Sequence, residues 1–415
     1  MTQPDVTIVG GGLVGLSLAA LLRESGLHIA LLESDTLPRW PAPLGDRPFA
    51  PRVSALSPAS QRILHRCGAW EGITARRATP YRHMHVWDGE GTGSIHFSAA
   101  ELRVHELGHI VENDVVRSAL TRCIESAPNI QVIEGARLDR AAPEARGLRL
   151  HLTGAKSLST QLLVGADGAR SRVRDLAGMR IRQWSYGQRA IVTTVRTDEP
   201  HSETAWQRFE AGAPLALLPL TAASGDDHFA SVVWSLPDNR ADAALALGDD
   251  EFDQSLSGAF EYRLGRIRAV DRRYSFPLQQ CHALRYVVPR VALIGDAAHS
   301  IHPLAGQGVN LGLLDAAVLA EEILQGQARG LAPGALAALQ RYQRRRQSHN
   351  LSLMAAMEGL YRTFGLESLP LQWLRNRGLD LVDQWSPLKN WLSAQATGLQ
   401  PPAMGGSTKI AHQDP

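Results

Sequence analysis

The chain has 415 residues, of which 44% are hydrophobic and 20% charged, a composition that excludes wholesale disorder. Its 43 basic and 41 acidic residues nearly balance, which gives no reason to expect nucleic acid as a partner. The three widely spaced cysteines contain no Cys-x-x-Cys pair, so we expect neither a disulfide framework nor a zinc site and favour a reducing, cytoplasmic location.

The amino-terminal segment is typical of a strand, a tight turn, a helix and a second strand. The run Val6–Val9 suits a buried parallel strand, residues 13–25 predict a helix, and residues 28–33 predict the next strand. The uncharged stretch 6–22 contains three consecutive glycines and follows no basic residues. We therefore interpret it as neither a signal peptide nor a membrane span.

Residues 10–15 form a G-x-G-x-x-G motif between that strand and that helix. Gly10 would permit the tight turn, Gly12 would let the backbone approach a pyrophosphate, and Gly15 would let the helix pack closely. Glu33 follows Gly12 by 21 residues, where an acidic side chain can hold the adenosine ribose hydroxyls. This context predicts a dinucleotide site without a 2′-phosphate, rather than a plain strand–helix turn.

Two further segments carry polar residues of interest. Arg52, judged from its local sequence, is an ordinary solvated arginine. A short strand and an amphipathic helix are expected over residues 109–125, and a buried strand over 161–165 leads to Asp167 between two glycines. An aspartate at that point is not a core residue. It predicts a turn cap near a phosphate or a dinucleotide.

Residues 181–280 contain short β-rich runs separated by polar turns, which predict an antiparallel sheet, and residues 81–97 predict a hairpin of the same kind. Some apolar residues there could roof a substrate pocket, although sheet core is the better interpretation for most of them: Trp206, Phe209, Leu217, Leu218, Pro219 and Trp234. His83 and His85 lack a carboxylate or cysteine at ligand spacing. We expect two exposed histidines there and no metal.

Residues 295–312 begin at a strand end and finish in a helix from about Val309. Asp296 suits a hydrogen bond to a sugar-like hydroxyl, and Gly306 and Gly308 permit a close backbone approach to a flat ring. The helix would direct its positive end towards negative charge developing on that ring. His299 and His302 could ligate a metal, but their place inside this motif favours a loop-shaping or substrate-side role.

The three motifs together resemble those of the class A flavoprotein monooxygenases, the para-hydroxybenzoate hydroxylase superfamily. The segment 299–308 resembles its ubiquinone-biosynthesis hydroxylase branch, and the resemblance covers roughly residues 5–345. At Asn113 relatives often carry Arg or Gln. The resemblance implies one tightly bound FAD, with contacts from Gly10, Gly12, Gly15, Glu33, Arg52, Asn113, Asp167, Gly295, Asp296, Gly306, Gly308, Val309 and Asn310.

The reaction that this resemblance implies needs no metal and no protein nucleophile. NAD(P)H, bound transiently, would reduce the FAD; O2 would add to the flavin, and the C4a-hydroperoxide would hydroxylate the ring of a polyprenylated phenol in ubiquinone biosynthesis. His299, His302 and Pro303 are candidates near the ring. The protein would supply orientation, a dry pocket and electrostatics.

The expected fold is α/β, with a Rossmann-like FAD-binding domain, a discontinuous antiparallel β-sheet substrate domain and a C-terminal helical segment. The FAD-binding domain would comprise residues 1–75, 100–180 and 283–345, and the substrate domain residues 76–99 and 181–282. A C-terminal helical region would follow over 346–396, and a flexible tail over 397–415.

Trp373, Trp385 and Trp391 lie among basic residues near the carboxyl terminus. That combination in residues 350–396 suits membrane-surface docking or a subunit interface, and a helical layer packed on the FAD domain is equally compatible. Because a prenylated phenol resides in lipid, our hypothesis is a peripheral contact at the inner face of the membrane. We also expect a homo-oligomer.

Three alternative functions stay open at this point. The first is a class A hydroxylase of a soluble phenol. The second is a non-catalytic FAD-binding scaffold of a biosynthetic complex, which three intact cofactor motifs argue against. A flavin halogenase is disfavoured because the chain has no Trp-x-Trp-x-Ile-Pro-like segment.

Overall fold

The computed structural model describes residues 3–41, 49–154, 156–210, 213–301 and 307–364. Its helices are α1 (Leu13–Leu21), α2 (Pro58–Arg66), α3 (Trp70–Arg76), α4 (Asn113–Glu125), α5 (Arg172–Leu176), α6 (Asp238–Ala246), α7 (Asp249–Ala259), α8 (Gln307–Ala328) and α9 (Leu336–Phe364), with a 3-10 turn over Gly295–Ala297. Its strands are β1 (Val6–Val9), β2 (Ile29–Leu32), β3 (Val53–Leu56), β4 (Thr79–Tyr81), β5 (His83–Asp88), β6 (Ser94–Ser98), β7 (Gly108–Glu112), β8 (Ile130–Ile133), β9 (Leu138–Glu144), β10 (Gly147–Leu152), β11 (Ser157–Thr160), β12 (Leu162–Gly165), β13 (Ile181–Thr197), β14 (Thr204–Phe209), β15 (Leu215–Leu220), β16 (Phe229–Pro237), β17 (Ile267–Ala269), β18 (Tyr274–Ala283), β19 (Val287–Val288), β20 (Val291–Leu293) and β21 (His299–Ser300).

A six-stranded sheet in the order β19-β20-β12-β1-β2-β8 organises the amino-terminal motif. Its strands from β20 to β8 are parallel to their neighbours, and only β19 runs antiparallel. Every residue of β1, β2, β12 and β20 is buried, which explains their continuous apolar sequences. Helices α1, α4 and α8 contribute to the same hydrophobic core. The predicted α/β fold is confirmed.

A nine-stranded sheet contains β21-β18-β13-β16-β15-β14-β5-β6 in this order, and β17 pairs with β13. Its pairs are antiparallel except one, because β14 runs parallel to β5. The hairpin of β5 and β6 therefore joins the sheet through a parallel pair, a difference from the all-antiparallel sheet that the sequence predicts. Two three-stranded sheets, β11-β10-β9 and β3-β7-β4, complete the strands of the described chain.

One face of the nine-stranded sheet, here the covered face, packs on helices α6 and α7. Ile191, Leu217 and Val232 are fully buried there in a cluster with Phe252 and Leu256 of α7. Some of the residues that could have roofed a substrate pocket are therefore sheet core, as the sequence analysis favoured. Trp206, Leu217 and Trp234 belong to this cluster or pack against it, and Pro219 is paired with the clustered Ala230.

The other face, here the open face, is formed by the residues that alternate with the covered ones. Val192, Ala216 and Val233 point to this side, and each is half-exposed although it lies in the middle of a large sheet. Phe209 and Leu218 also lie on the open face, in two small apolar clusters at its borders.

His83 and His85 differ from their prediction, because both are half-buried rather than exposed. The His83 ring stacks on His96 of β6 at 5.2 Å between centroids. His85 packs against Trp206 at 5.3 Å. Aromatic neighbours across the strands, which local sequence does not reveal, account for their burial.

The carboxyl-terminal helix α9 is 29 residues long and packs along α8. The helix predicted from about Val309 begins two residues earlier, at Gln307. Among the described helices, none has both the length and the apolar character needed to cross a lipid bilayer. The tryptophan-rich stretch around Trp373, Trp385 and Trp391 lies outside the described residues, as does the tail 397–415.

Candidate cofactor site

Three separate motifs meet at one edge of the six-stranded sheet. Because β1, β12 and β20 are parallel, the loops that follow them leave the sheet at the same edge. Ala166 donates its backbone N–H to the Val9 carbonyl at 2.8 Å, which joins the first two loops. The Val14 side chain lies against Gly295 and Gly312, which brings the third motif onto α1.

Each glycine of the first motif has its own geometry. Gly10 has φ +107°, and a Cβ there would lie 2.3 Å from the Ala166 carbonyl oxygen. A Cβ at Gly15 would lie 2.0 Å from the Gly10 carbonyl oxygen, so α1 packs directly on the turn. A Cβ at Gly12 would meet no atom within 4 Å in the part of the chain that the structure describes. Gly10 and Gly15 thus serve the turn itself, whereas Gly12 faces a space that a ligand can enter.

The amino terminus of α1 is suited to a phosphate. Its N-cap is Gly12, which has no side chain to accept from the free N–H groups, and its first turn carries no acidic residue. Such N–H groups, at the positive end of a nine-residue helix, need an acceptor from outside the helix. A bound pyrophosphate would supply one, so this end of the site fits FAD.

Glu33 lies at the end of β2 beside the glycine loop and is largely buried. Its Oε2 accepts from the Gly11 N–H at 2.5 Å, and its Oε1 accepts from the Asp35 N–H at 3.1 Å. A carboxylate has about four acceptor positions, so these bonds leave capacity for ribose hydroxyls. Glu33 therefore both holds the loop and remains available to a ligand.

Arg117 is a residue that sequence reasoning missed. Its Nε, on α4, donates to the Gly11 carbonyl at 3.2 Å, which places a positive charge beside the glycine loop. Asn113, whose contact with FAD stays a prediction, accepts from the Ser54 hydroxyl at 2.6 Å through its Oδ1. Asn113 and Arg117 are four residues apart on one helix face. From this spacing the sequence could have predicted that a basic residue lies on the same face of α4 as Asn113.

Asp167 shapes the loop after β12. Its two carboxylate oxygens accept from the Ser171 hydroxyl at 2.5 Å and from the Val173 N–H at 3.1 Å, so Asp167 holds the start of α5. The buried Arg174 of α5 donates to the Ala297 carbonyl at 3.2 Å. The second motif is thereby fastened to the third.

Asp296 and Arg52 lie between the two large sheets. The Asp296 side chain is exposed, yet it is surrounded by enough protein that burial raises the pKa of its carboxyl, against the effect of the nearby His299 and Arg52. This combination describes a carboxylate in the wall of a deep cleft. The Arg52 guanidinium lies 4.7 Å from the centre of the Phe276 ring of β18. Arg52 therefore lies close to Asp296 and contacts the nine-stranded sheet, which its local sequence alone did not indicate.

A buried polar network supports the turn that carries Gly295 and Asp296. His299 Nε2 lies 2.5 Å from Asp315 Oδ2, and the Gly295 N–H donates to the same oxygen at 3.1 Å. Arg346 Nε of α9 donates to Asp315 Oδ1 at 2.7 Å. Burial opposes ionisation, but His299 and Arg346 outweigh it and lower the pKa of the Asp315 carboxyl to about 2.

His299 is 1% exposed, so its imidazole shapes the loop from within the protein. Sequence reasoning missed Asp315 and Arg346, although an aspartate inside the apolar run of α8 signals a buried charge that needs a partner. Of the other candidates near the ring, His302, Pro303 and Gly306 lie outside the described residues.

The start of α8 contains the last predicted contacts. A Cβ at Gly308 would meet no atom of the described residues within 4 Å, and Val309 is half-exposed. Among the described residues, both therefore border open space. Asn310 is buried instead: its Oδ1 accepts from the Ser57 N–H at 3.0 Å and its Nδ2 donates to the Ala55 carbonyl at 2.9 Å. Asn310 thus fastens α8 to the β3–α2 junction.

The comparisons with known proteins agree with this geometry. The FAD binding domain family matches residues 3–356. The 3-demethoxyubiquinol 3-hydroxylase of Escherichia coli strain K12 is 35% identical over 399 residues, which cover 96% of this chain and 99% of the relative. The ubiquinone hydroxylase UbiL of Rhodospirillum rubrum is 36% identical over 394 residues, covering 95% of this chain and 89% of the relative.

The fold is shared with solved structures. That of PqsL, a probable FAD-dependent monooxygenase from Pseudomonas aeruginosa, has a TM-score of 0.75 at 22% identity and covers 91% of this chain and 100% of its own. This likeness supports the fold, and the sequence matches establish the family. The chain belongs to the FAD binding domain family, in the group that contains the ubiquinone-biosynthesis hydroxylases.

Proposed function

We propose that this chain is an FAD-dependent monooxygenase that hydroxylates the aromatic ring of a polyprenylated phenol in ubiquinone biosynthesis, with NAD(P)H and O2 as co-substrates. One observation carries the proposal: Arg52, which is close to Asp296, and Ala55, which pairs with Asn310, pack against Phe276 and Leu220 on the open face of the nine-stranded sheet. The names of the Escherichia coli and Rhodospirillum rubrum relatives, a 3-demethoxyubiquinol 3-hydroxylase and a ubiquinone hydroxylase, support this substrate class.

Contacts at two places support a cleft between the open face and the cofactor side. Arg52 meets Phe276 at one place, and Phe49 and Ala55 cluster with Leu220 at another. The apolar residues in the middle of the open face are half-exposed, and they lie between two apolar clusters that are buried. A cleft of this kind, mostly apolar and bordered by few polar groups, suits a hydrophobic aromatic ligand.

FAD, when bound, supplies the oxygen-transfer chemistry. Glu33 and the α1 amino terminus would hold its ribose and pyrophosphate, and Asp296 would accept a hydrogen bond from its sugar-like chain. The amino terminus of α8 would stabilise negative charge on the flavin ring. The open face would orient the phenol and exclude water, which protects a reactive cofactor from side reactions.

We further propose that the six-stranded sheet and its helices form the FAD-binding domain and that the nine-stranded sheet forms the substrate domain. NAD(P)H would bind transiently without a domain of its own. A peripheral membrane contact through residues 350–396, with a homo-oligomeric enzyme at the cytoplasmic side, remains our hypothesis for access to a lipid-soluble substrate. Equal liposome flotation of the full chain and of a chain without residues 350–415 would contradict the membrane contact.

The function is tested with purified FAD-loaded protein. We expect NAD(P)H oxidation that depends on a short-tailed prenylphenol, together with a product heavier by one oxygen atom. Equal turnover of the prenylphenol and of the same phenol without its tail would favour a hydroxylase of soluble phenols. Protein that binds FAD but consumes no NAD(P)H with either compound would favour a non-catalytic scaffold.

A further inference from the structure

A single amide lies in a mostly apolar row of side chains across the open face. Strand pairing places Gln207 of β14 beside Ala216 of β15 and beside Val86 of β5. The row continues through further pairs in both directions, and its other members are Ile95, Val86, Ala216, Val233, Val192 and, on β18, Tyr274. Gln207 is thus a polar side chain among aliphatic neighbours, and Tyr274 lies at the far end of the row.

The direction of the Gln207 side chain follows from its neighbours in the strand. Trp206 packs against Trp87 and Phe260 on the covered face. Phe209, two residues beyond Gln207, clusters with Val86, Ile95 and Met357 on the other side. Because side chains alternate along a strand, Gln207 points with Phe209 to the open face.

The Gln207 residue is buried, but within the described chain the protein does not pair its amide with a hydrogen-bonding group. The residue is 5% exposed, and its side chain makes no hydrogen bond to any residue that the structure describes. Some side-chain polar atoms of the described residues are fully enclosed and have no hydrogen-bond partner. Trp206 Nε1 on the same strand is one of them, but neither amide atom of Gln207 is. The amide therefore keeps a surface through which a ligand atom can reach it.

A largely buried amide that no protein group pairs with keeps its hydrogen-bonding capacity for a ligand. An amide can donate through its NH2 group and accept through its oxygen. It can therefore bind a phenol hydroxyl in either role, whereas the aliphatic side chains beside it can only contact the ring and the tail.

We propose that Gln207 is a specificity-determining residue that hydrogen-bonds an oxygen substituent on the ring of the phenolic substrate. This inference rests on the proposed function. The bond would fix the rotation of the ring against the apolar row, and hence which ring carbon is presented to the cofactor. Gln207 lies on none of the three cofactor motifs, so we expect its effect on the substrate.

The test compares two probes on the FAD-loaded enzyme, a short-tailed prenylphenol and the matching prenylbenzene without the hydroxyl. Calorimetric titration measures Kd for each without turnover. We expect the wild-type enzyme to bind the phenol about tenfold more tightly than the prenylbenzene. In Gln207→Met, which keeps the shape but removes the amide, the two Kd values should become equal.

Gln183→Met is the matched control, because Gln183 lies on the same sheet, is exposed and donates to Gln279 Oε1 at 2.9 Å. It should leave the preference for the phenol unchanged. Gln207→Asn shortens the side chain by one methylene and should weaken the preference for the phenol over the prenylbenzene. It serves as the second variant if Gln207→Met fails to retain FAD.

A Gln207→Met enzyme that keeps the wild-type preference for the phenol would overturn this inference. If that enzyme and the wild type both hydroxylate the prenylphenol, the proposed function stands and only the role of Gln207 fails. If the wild-type enzyme binds neither probe, the proposed function fails first.

Discussion

At the scale of single residues, the glycine loop separates two roles that the same residue type performs. Gly10 needs a positive φ and the absence of a Cβ, and Gly15 needs the absence of a Cβ, in both cases because protein atoms lie within 2.3 Å. Gly12 needs neither for the protein alone, since its φ is −76° and its Cβ position is open. We therefore expect a ligand, rather than the protein, to require glycine at position 12.

This difference predicts opposite behaviour of two alanine variants. Gly12→Ala should unfold at the wild-type temperature without FAD but bind FAD about tenfold more weakly, because a methyl group stands where the pyrophosphate approaches. Gly10→Ala should lose about 3 kcal/mol of stability, because the loop must move to relieve the contact with Ala166. Thermal unfolding without FAD and flavin fluorescence titration measure the two effects. A Gly12→Ala protein with unchanged FAD affinity would contradict the assigned approach.

The Asp315 carboxyl makes the free energy of unfolding depend on pH. Its pKa is lowered to about 2 in the folded protein, so it binds a proton less readily there than in the unfolded chain. The stabilisation is present above the ordinary aspartate pKa of about 3.9 and is lost as pH falls towards 2, an effect of about 2 kcal/mol. Urea unfolding between these pH values should show this loss.

Asp315→Asn is the comparison for that experiment. The variant should be less stable at neutral pH, because Arg346 loses its buried counter-charge. Its stability should also fall less steeply over the same acidic range. An Asp315→Asn protein with the wild-type pH dependence would show that other carboxylates cause the acid loss.

At the scale of elements, the sequence predicts what local patterns encode. Buried β-branched runs, glycine turns and amphipathic periodicity identify β1, α1, β7, α4, β12 and the start of α8 close to their observed bounds. Pairing between distant strands leaves no local pattern, which is why the parallel contact of β14 with β5 was missed. The same holds for Arg346, whose partner Asp315 lies 31 residues away on another helix.

The helix α9 links the two halves of the site. Near its middle, Arg346 holds Asp315 beneath the Asp296 turn. Twelve residues later, Glu358 Oε2 accepts from the Tyr186 hydroxyl at 2.7 Å, and Met357 packs against the cluster of Val86 and Phe209. One rigid element thus contacts both the support of the cofactor turn and the border of the open face.

Removing the hydroxyl in Tyr186→Phe should loosen the end of this helix. We expect faster amide hydrogen exchange over residues 354–364, by the few-fold factor that about 1 kcal/mol of local stability represents, and little change in β1 or β12. Arg362→Gln is the control, because its pair with Glu358 is a surface pair within one helix and contributes little. Equal amide exchange rates in the two variants would show that the packing of Met357, and not the Tyr186 hydroxyl, keeps the end of α9 in place.

At the scale of the whole molecule, the site exists only when distant parts of the chain are folded together. The loops after β1, β12 and β20 and the ends of α8 and α9 come from residues between 10 and 358, joined by the contacts of Ala166, Arg174 and Asp315. The unfolded chain does not hold these groups together. FAD should therefore bind the folded chain alone and stabilise it by mass action.

This coupling makes the unfolding temperature depend on FAD concentration. Free FAD at about one hundred times its Kd should add about 2.7 kcal/mol to the free energy of unfolding, which raises the unfolding temperature by several degrees. Differential scanning calorimetry of the FAD-depleted protein with increasing FAD measures the rise. Gly12→Ala should start from the same temperature and need about tenfold more FAD for the same rise. Because the stabilisation requires every loop to be in place, a wild-type unfolding temperature that is constant with added FAD would show that the converged motifs do not form one binding site.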